Sequence, residues 1–322
     1  MAGWKAILIA GPTASGKSGL ALDLARRLGG TVVNADSLQV YEDLSILTAR
    51  PTPADLSAAP HRLYGHVKPE EPYSAGRYRR EVAALLPPLE AGGSLPILCG
   101  GTGLYFKALL GLLDAMPDVP DAIRESWRAR LAAEGAPALH GVLAERDPAS
   151  AARIDPADGQ RIARALEVGE AAGRPMSALT TGTGESLLRE DDCLKIVLTP
   201  ERELLRRRIA ARFDAMLDAG AMEEAAAFRA RHGILPGSSA RKAIGLSELC
   251  AAIDGAMSPA EARERSIVRS RQYAKRQETW FRHQFGAHWL RLDPADALDI
   301  ALAAFAAGPS PNVEGETPRS QR

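Results

Sequence analysis

Gly11-Pro12-Thr13-Ala14-Ser15-Gly16-Lys17-Ser18 completes a G-x-x-x-x-G-K-[ST] pattern directly after the apolar run Ala6-Ile7-Leu8-Ile9-Ala10. These residue types at this spacing do one kind of chemistry. Glycines let successive backbone N–H groups turn inward around an anion, the lysine adds a point charge, and the terminal hydroxyl can hold Mg²⁺. The chain is therefore expected to grip a phosphate or pyrophosphate with these eight residues, Ser18 being the candidate metal ligand. The elements that must position such a loop are a buried strand before it and a helix after it. The apolar run supplies the strand. Leu20, Leu22, Leu24 and Leu28 give residues 17–28 an apolar helical stripe, and Gly29-Gly30 stops it.

An ordinary phosphate-loop NTPase or kinase also has a second apolar strand ending in an aspartate that holds Mg²⁺. That partner is missing here. The obvious strand, Leu95-Pro96-Ile97-Leu98-Cys99, runs into Gly100-Gly101-Thr102-Gly103, where backbone can approach a ligand closely but no carboxylate follows. The nearest acid is Asp36, at the end of a strand over residues 31–34. A phosphate loop without the second acid points to a site that binds pyrophosphate as a leaving group and does not hydrolyse ATP.

A chain of 322 residues that is 46% apolar can bury a full core and should hold about two lobes. No run reaches the roughly 20 apolar residues of a membrane span, and the N-terminus lacks the sections of a signal peptide, so a cytoplasmic protein is expected. Cys99, Cys193 and Cys250 are odd in number and far apart, which excludes a disulfide framework or a C-x-x-C metal site. With 40 basic and 40 acidic residues there is no global field, so nucleic acid would have to be met by a local basic surface.

The first hundred or so residues alternate strands (5–10, 31–34, 95–99) with helices, which implies a parallel sheet. Ligands collect at the carboxyl ends of such strands, where the phosphate loop, Asp36 and residues 100–103 emerge together. From 117 to about 183 the pattern is helical only (121–133, 136–145, 159–172) and ends in Thr180-Thr181-Gly182-Thr183-Gly184. Strand character returns at 194–199, followed by helices at 201–219, 222–231, 240–253 and 259–284, a strand near 289–292 and a short helix. The fold class is α/β: a parallel-sheet core of the phosphate-loop NTPase type (1–116 and 185–307), an inserted all-helical domain (117–184), C-terminal helices, and a disordered polar tail (308–322).

Taken in order, residues 11–18, Asn34-Ala35-Asp36-Ser37-Leu38-Gln39-Val40-Tyr41, Thr48-Ala49-Arg50-Pro51, residues 95–107 (LPILCGGTGLYFK), 158–167 (DGQRIARALE) and 273–282 (YAKRQETWFR) resemble the bacterial tRNA dimethylallyltransferases, the tRNA isopentenyltransferase family. The resemblance covers nearly the whole chain. It implies transfer of a dimethylallyl group from dimethylallyl pyrophosphate, with Mg²⁺, to the exocyclic amine of the adenosine just 3′ of the anticodon, in tRNAs reading codons that begin with U.

The residues suit that reaction. An aromatic amine is a weak nucleophile, so a carboxylate that accepts its proton accelerates transfer, and Asp36 is the candidate base; a Mg²⁺ ligand or a cap ahead of Ser37 are its competing roles. Lys17 and Thr13 are the other candidate catalytic residues, one neutralising the departing pyrophosphate and the other touching its bridging oxygen or a phosphate. Arg208 and Arg212 match arginines of the resembling family and share a helix face at i, i+4, where they either close over the pyrophosphate or form a solvated face.

By the same resemblance Asp36, Ser37, Leu38 and Gln39, then Gln160, Arg161, Ile162, Ala163 and Arg164, and also Thr102 and Arg124, are expected to touch tRNA, with the helical domain clamping the anticodon stem-loop. Gln39 suits a base edge; Arg161 and Arg164 suit phosphates or a stacked base. Between 259 and 283 stand seven Lys/Arg against three Glu. Arg269, Arg271, Lys275 and Arg276 are candidate phosphate contacts, and Trp280 and Phe281 are read as core anchors.

Two departures stand out. Where the family usually carries Asp-Ile-Gly-Thr-Ala-Lys-Pro this chain has Ser45-Ile46-Leu47-Thr48-Ala49-Arg50-Pro51, which puts the turn of that loop in question. Where it often has His-His-Leu this chain has His61-Arg62-Leu63, read as structural; His61 and His66 are too isolated for a metal site. A monomer suffices for this chemistry. The rival readings are a small-molecule kinase, which predicts ATP turnover, an adenylate dimethylallyltransferase using free nucleotide, and a non-catalytic nucleotide switch on RNA.

Overall fold

Five apolar residues without a polar break cannot line a sheet that is wet on one side, and β1 (Ala6–Ala10) is buried at every position. The computed structural model describes residues 3–114, 116–180, 184–233 and 238–309. Around β1 lie β2 (Gly30–Asn34), β3 (His61–Arg62), β4 (Leu95–Gly100), β5 (Cys193–Leu198) and β6 (Leu290–Leu292), in the order β3-β2-β4-β1-β5-β6, with every pairing parallel. The register sets Ile9 beside Cys99 on one side and Ile196 on the other. All strand ends that matter for a ligand therefore leave the sheet on one edge.

One face of the sheet packs Ile7, Ile9, Ile97 and Ile196 against Leu20, Ala21 and Leu24 of the helix Lys17–Leu28 and against Ala297 and Ala301 of the helix Ala297–Ala307. The first of these helices ends where expected, on Gly29 at φ 65°, whose N–H returns to the Ala25 carbonyl. Aromatic rings join three further elements. Phe106, in the helix Gly103–Leu109, meets Trp289 edge-on at 5.6 Å, and Trp289 stacks on Phe285 at 3.8 Å. A second core joins the helices Arg202–Asp218, Ala221–His232, Leu246–Ile253 and Pro259–Gln284 to Val40, Tyr41, Leu44 and Leu47.

The chain divides into two compact units, one of residues 1–109 with 187–322 and one of residues 110–186. The second unit is helical. Its helices Asp121–Glu134, Ala136–Arg146 and Gly159–Ala172 enclose Trp127, Leu139, Leu143, Ile162 and Leu166. Asp147 fastens it, accepting the N–H groups of Ser150 at 3.0 Å and Ser177 at 2.9 Å. Residues 181–183 of the expected turn, and the tail from 310, lie outside the described residues.

Periodicity missed some elements and merged others. The helix expected over 240–253 is a 3₁₀ turn, Ala240–Lys242, and a separate helix from Leu246, because Gly245 at φ 99° breaks the run. The helices Pro53–Ala58 and Ala75–Ala91 were not anticipated; the second carries Pro87 and Pro88 inside it, which reads as a stop signal in sequence. His61 and Arg62 do prove structural: they form the two-residue edge strand β3.

The tightest backbone approach is at the end of β4. A Cβ placed on Gly100 would lie 2.0 Å from the carbonyl carbon and oxygen of Ala35, both backbone atoms that cannot swing away. Gly100→Ala is expected to lower stability by about 3 kcal/mol in urea unfolding, as overpacking against backbone does. Gly19→Ala, where a Cβ meets nothing within 4 Å, should leave it unchanged or slightly higher.

Candidate active site

The loop after β1 has the shape its glycines allow. Gly16 sits at φ 94° ahead of the helix Lys17–Leu28, and Ala14 takes φ 62°, a left-handed conformation that costs a non-glycine residue energy and marks the loop as held from outside. The holders are visible. Gln277 of the long helix Pro259–Gln284 accepts the Thr13 N–H at 2.9 Å, and Ser15 N–H closes on the Pro12 carbonyl at 3.2 Å. Arg212 Nη1 reaches the Thr13 hydroxyl at 3.4 Å.

Lys17 is 9% exposed and donates to the Pro12 carbonyl at 3.2 Å. Burial pushes its ammonium below the ordinary lysine range; the Asp36 carboxylate opposes that and Arg212 adds to it. Burial likewise lowers Arg212, again against Asp36. Two cations and one carboxylate thus face a common space.

Asp36 emerges from β2 and is set by its neighbours. Its N–H donates to the Asn34 side chain at 2.8 Å, and its own Oδ1 accepts the Leu38 N–H at 2.9 Å. This Asx turn leaves Oδ2 toward Gly101, where a Cβ would come within 3.2 Å of it. Thr102 completes the support: its N–H binds the Ala35 carbonyl at 3.2 Å and its hydroxyl accepts the Ser37 N–H at 2.9 Å.

These residues line one cleft. Its polar end comprises Thr13, Lys17, Ser18, Asp36 and Arg212, and its apolar wall comprises Leu47, Ile209, Phe213, Met216 and Ile244, with Tyr273 beside them. Arg208 goes elsewhere. It lines a second depression behind the loop with Gly16, Gly19, Asp23 and Pro294, and its Nη1 lies 3.5 Å from the Ser15 carbonyl. Both arginines thus lie against the loop, Arg212 at the Thr13 hydroxyl and Arg208 at the Ser15 carbonyl.

Several expected contact residues have other partners. Gln39 turns its amide N–H₂ to the carbonyls of Thr48 (2.8 Å) and Ala49 (2.9 Å). Arg269 is bound to Glu248 and Ser247 and is not a free cation, whereas Arg271, Lys275 and Arg276 are exposed on the long helix. Trp280 packs where a Cβ on Gly103 would stand, and Phe281 is buried, as anchors should be. In the helical unit Gln160, Arg161 and Arg164 are exposed, Arg161 near Asp158 at 3.3 Å and Arg164 near Glu167 at 3.7 Å. Ile162 and Ala163 are buried in that unit, so their side chains pack and do not face a partner. Arg124 pairs with Asp121 at 3.0 Å.

Residues that sequence reasoning missed give the cleft its form. Glu224 accepts the N–H groups of Ile46 at 2.8 Å and Leu47 at 2.9 Å and the Ser45 hydroxyl at 3.0 Å, which answers the departure in this loop. Leu47 needs no glycine conformation; the left-handed residue is Ala49, at φ 50°. Gln277 had a readable signal: it is a polar residue in register with the buried positions Ala274 and Phe281.

A family model described as IPP transferase matches residues 39–284, and one described as Isopentenyl transferase matches residues 4–69. The chain belongs to the IPP transferase family. It is 50% identical over 289 residues to a tRNA dimethylallyltransferase of Agrobacterium fabrum, covering 90% of this chain and 97% of the relative. It is 53% identical over 284 residues to a tRNA dimethylallyltransferase of Chelativorans sp., covering 88% and 97%. Among solved structures it is similar to the tRNA isopentenylpyrophosphate transferase of Bacillus halodurans, with a TM-score of 0.66 at 32% identity, covering 94% of this chain and 97% of that one. It is also similar to a eukaryotic dimethylallyltransferase acting on tRNA, with a TM-score of 0.77 at 26% identity, covering 94% and 77%. The order β2-β4-β1 with Gly100-Gly101 in place of an acid after β4 is how this chain builds the family's sheet.

The lowered Lys17 sets a pH dependence with a definite sign. The charged form binds an anion, so affinity for inorganic pyrophosphate is full below the free protein's Lys17 pKa and falls as pH rises through it, before the ordinary lysine value near ~10.4 is reached. Calorimetric titrations across alkaline pH should show this fall in the wild type, and Lys17→Met should bind weakly without it.

Proposed function

We propose that this chain transfers a dimethylallyl group from dimethylallyl pyrophosphate to the N6 amine of the adenosine immediately 3′ of the anticodon, in tRNAs that read codons beginning with U. The observation that carries the reading is the two-ended cleft. Lys17 and Arg212, with the hydroxyls of Thr13 and Ser18, suit a pyrophosphate, and a wall of Leu47, Ile209, Phe213, Met216 and Ile244 suits a short branched alkyl group. Asp36 stands at the polar end, where the acceptor amine must arrive.

The chemistry follows from that placement. The allylic carbon–oxygen bond lengthens as negative charge gathers on the departing pyrophosphate, which the loop N–H groups, Lys17 and Arg212 stabilise. The adenine N6 lone pair forms the new nitrogen–carbon bond on the opposite side of that carbon, and Asp36 accepts the proton that the amine must lose. Thr13, fixed by Gln277 and Arg212, offers its hydroxyl to the bridging oxygen. Ser18 gives the cleft a hard oxygen donor, which fits Mg²⁺ held mainly by pyrophosphate and water. When bound, that ion supplies charge to the leaving oxygens.

For the RNA, the exposed Arg271, Lys275 and Arg276 of the long helix offer a phosphate track, and Gln160, Arg161 and Arg164 offer a second on the helical unit. Among the described residues no helix is long and apolar enough to cross a membrane, and a monomer acting in the cytoplasm is the form we propose. The kinase reading leaves the apolar wall without a use. The free-nucleotide reading leaves the RNA-facing cations without one.

The test supplies purified protein and Mg²⁺ with an unmodified tRNA, free AMP, dimethylallyl pyrophosphate or ATP in turn, and weighs the nucleosides by mass spectrometry. Dimethylallyl-adenosine should form only from tRNA with the prenyl donor; phosphate release from ATP without it would return the chain to the kinases. Asp36→Asn keeps the acceptor for the Leu38 N–H but cannot take a proton. It should lower kcat by about 10²–10⁴-fold with donor KM little changed.

A further inference from the structure

The anion loop and Asp36 leave the sheet from β1 and β2, which are not neighbours, because β4 lies between them. Something must bridge the loops across the end of β4: Gln277 joins the anion loop to Gly101, and Thr102 joins the same segment to Ala35 and Ser37 beside Asp36. Gln277 is 6% exposed. Its Oε1 accepts the Thr13 N–H at 2.9 Å and its Nε2 donates to the Gly101 carbonyl at 3.0 Å. Gly101 has no side chain for a reason: a Cβ there would lie 2.2 Å from Gln277 Nε2 and 3.2 Å from Asp36 Oδ2. A side chain at Gly101 would thus meet the Gln277 amide and the Asp36 carboxylate at once.

We propose that Gln277 is a positioning residue for the transfer reaction, strapping the pyrophosphate loop to Gly101 at the end of β4, which Thr102 ties to the turn that holds Asp36, and so fixing the spacing between leaving group and base. The inference rests on the proposed function for its reaction, and on the geometry alone for the strap. An amide is the side chain the position requires. It needs an acceptor for the loop and a donor for Gly101 at once, which neither a carboxylate nor a hydrocarbon supplies. By taking the Thr13 N–H out of the anion cradle, it also presents the Thr13 hydroxyl, and not the peptide, to the ligand.

Two variants separate strap from scaffold. Gln277→Met keeps the volume and removes both hydrogen bonds. Gln277→Glu keeps the acceptor for Thr13, loses the donor to Gly101, and sets a like charge beside Asp36. With the strap gone, kcat in Gln277→Met should fall roughly 10–100-fold, the scale of a misplacement near 1 Å, with donor KM and unfolding temperature close to wild type. In Gln277→Glu, which loses the Gly101 bond and keeps the Thr13 bond, kcat should also fall with donor KM close to wild type, a split a merely structural role would not give.

Hydrogen exchange at the Thr13 amide reads the strap without any turnover. It should be slow in the wild type and in Gln277→Glu and fast in Gln277→Met. Wild-type kcat in Gln277→Met, Thr13 exchange in Gln277→Met as slow as in the wild type, or a loss of rate matched by a loss of folded protein would each overturn the role. No product from the wild type would instead overturn the proposed function, and the exchange result alone would then decide whether the strap exists.

Discussion

A parallel sheet spaces its strands by about 4.8 Å, and everything in this cleft answers to that constraint. With β4 between β1 and β2, the anion loop and Asp36 stand two spacings apart, roughly 10 Å at the sheet edge. That is room for a pyrophosphate and the carbon it carries, with an amine beyond. It is also too wide for a direct hydrogen bond, so the two halves cannot steady each other. The glycines after β4 let the strand turn down beneath the substrate: Gly100 against Ala35, Gly101 against Gln277, Gly103 against Trp280. An aspartate at the end of β4 would have no room: its Cβ would meet the Ala35 backbone at position 100 or the Gln277 amide at position 101.

The second core carries the other half of the cleft. Leu47, Ile209 and Phe213 belong both to that core and to the apolar wall, so the surface that meets an alkyl group is the outer layer of a packed helical cluster. Rigidity there is inherited from packing. Glu224, at the start of the helix Ala221–His232, brings the 45–47 segment onto the cluster through backbone N–H groups, and so the identity of residues 45 and 47 matters less than the carboxylate opposite them. The long helix has two duties at once: its buried side holds Ala274, Gln277 and Phe281, while Lys275 and Arg276 face water.

Much of this was legible in the chain. The phosphate loop, its strand and helix, the missing acid after β4 and the helical second unit all follow from local pattern, because each depends on residues near one another in sequence. What was illegible depends on distant ones. Nothing near Gln39 shows that its amide turns to Thr48 and Ala49, nothing near Arg269 shows Glu248, and the i, i+4 spacing of Arg208 and Arg212 cannot reveal that Arg212 lines the cleft while Arg208 lines a second depression. The apolar wall was hidden for the same reason. Its members read as ordinary core residues, and only the tertiary arrangement opens one side of them to a ligand.

The strap between residues 13 and 277 spans 264 positions of chain, and β1 itself pairs with β5 from beyond residue 190. A ribosome adding about 5–20 residues each second therefore exposes the anion-binding motif for roughly 13–50 seconds before its last brace can exist. During that interval β1 can pair with β4, complete by residue 100, but its pairing with β5 and the Gln277 brace wait for chain still to be made. The earliest-made part of the site is thus the last to become competent, and a chain still in synthesis carries the signature of a transferase without the ability to act on the very RNAs delivering its amino acids.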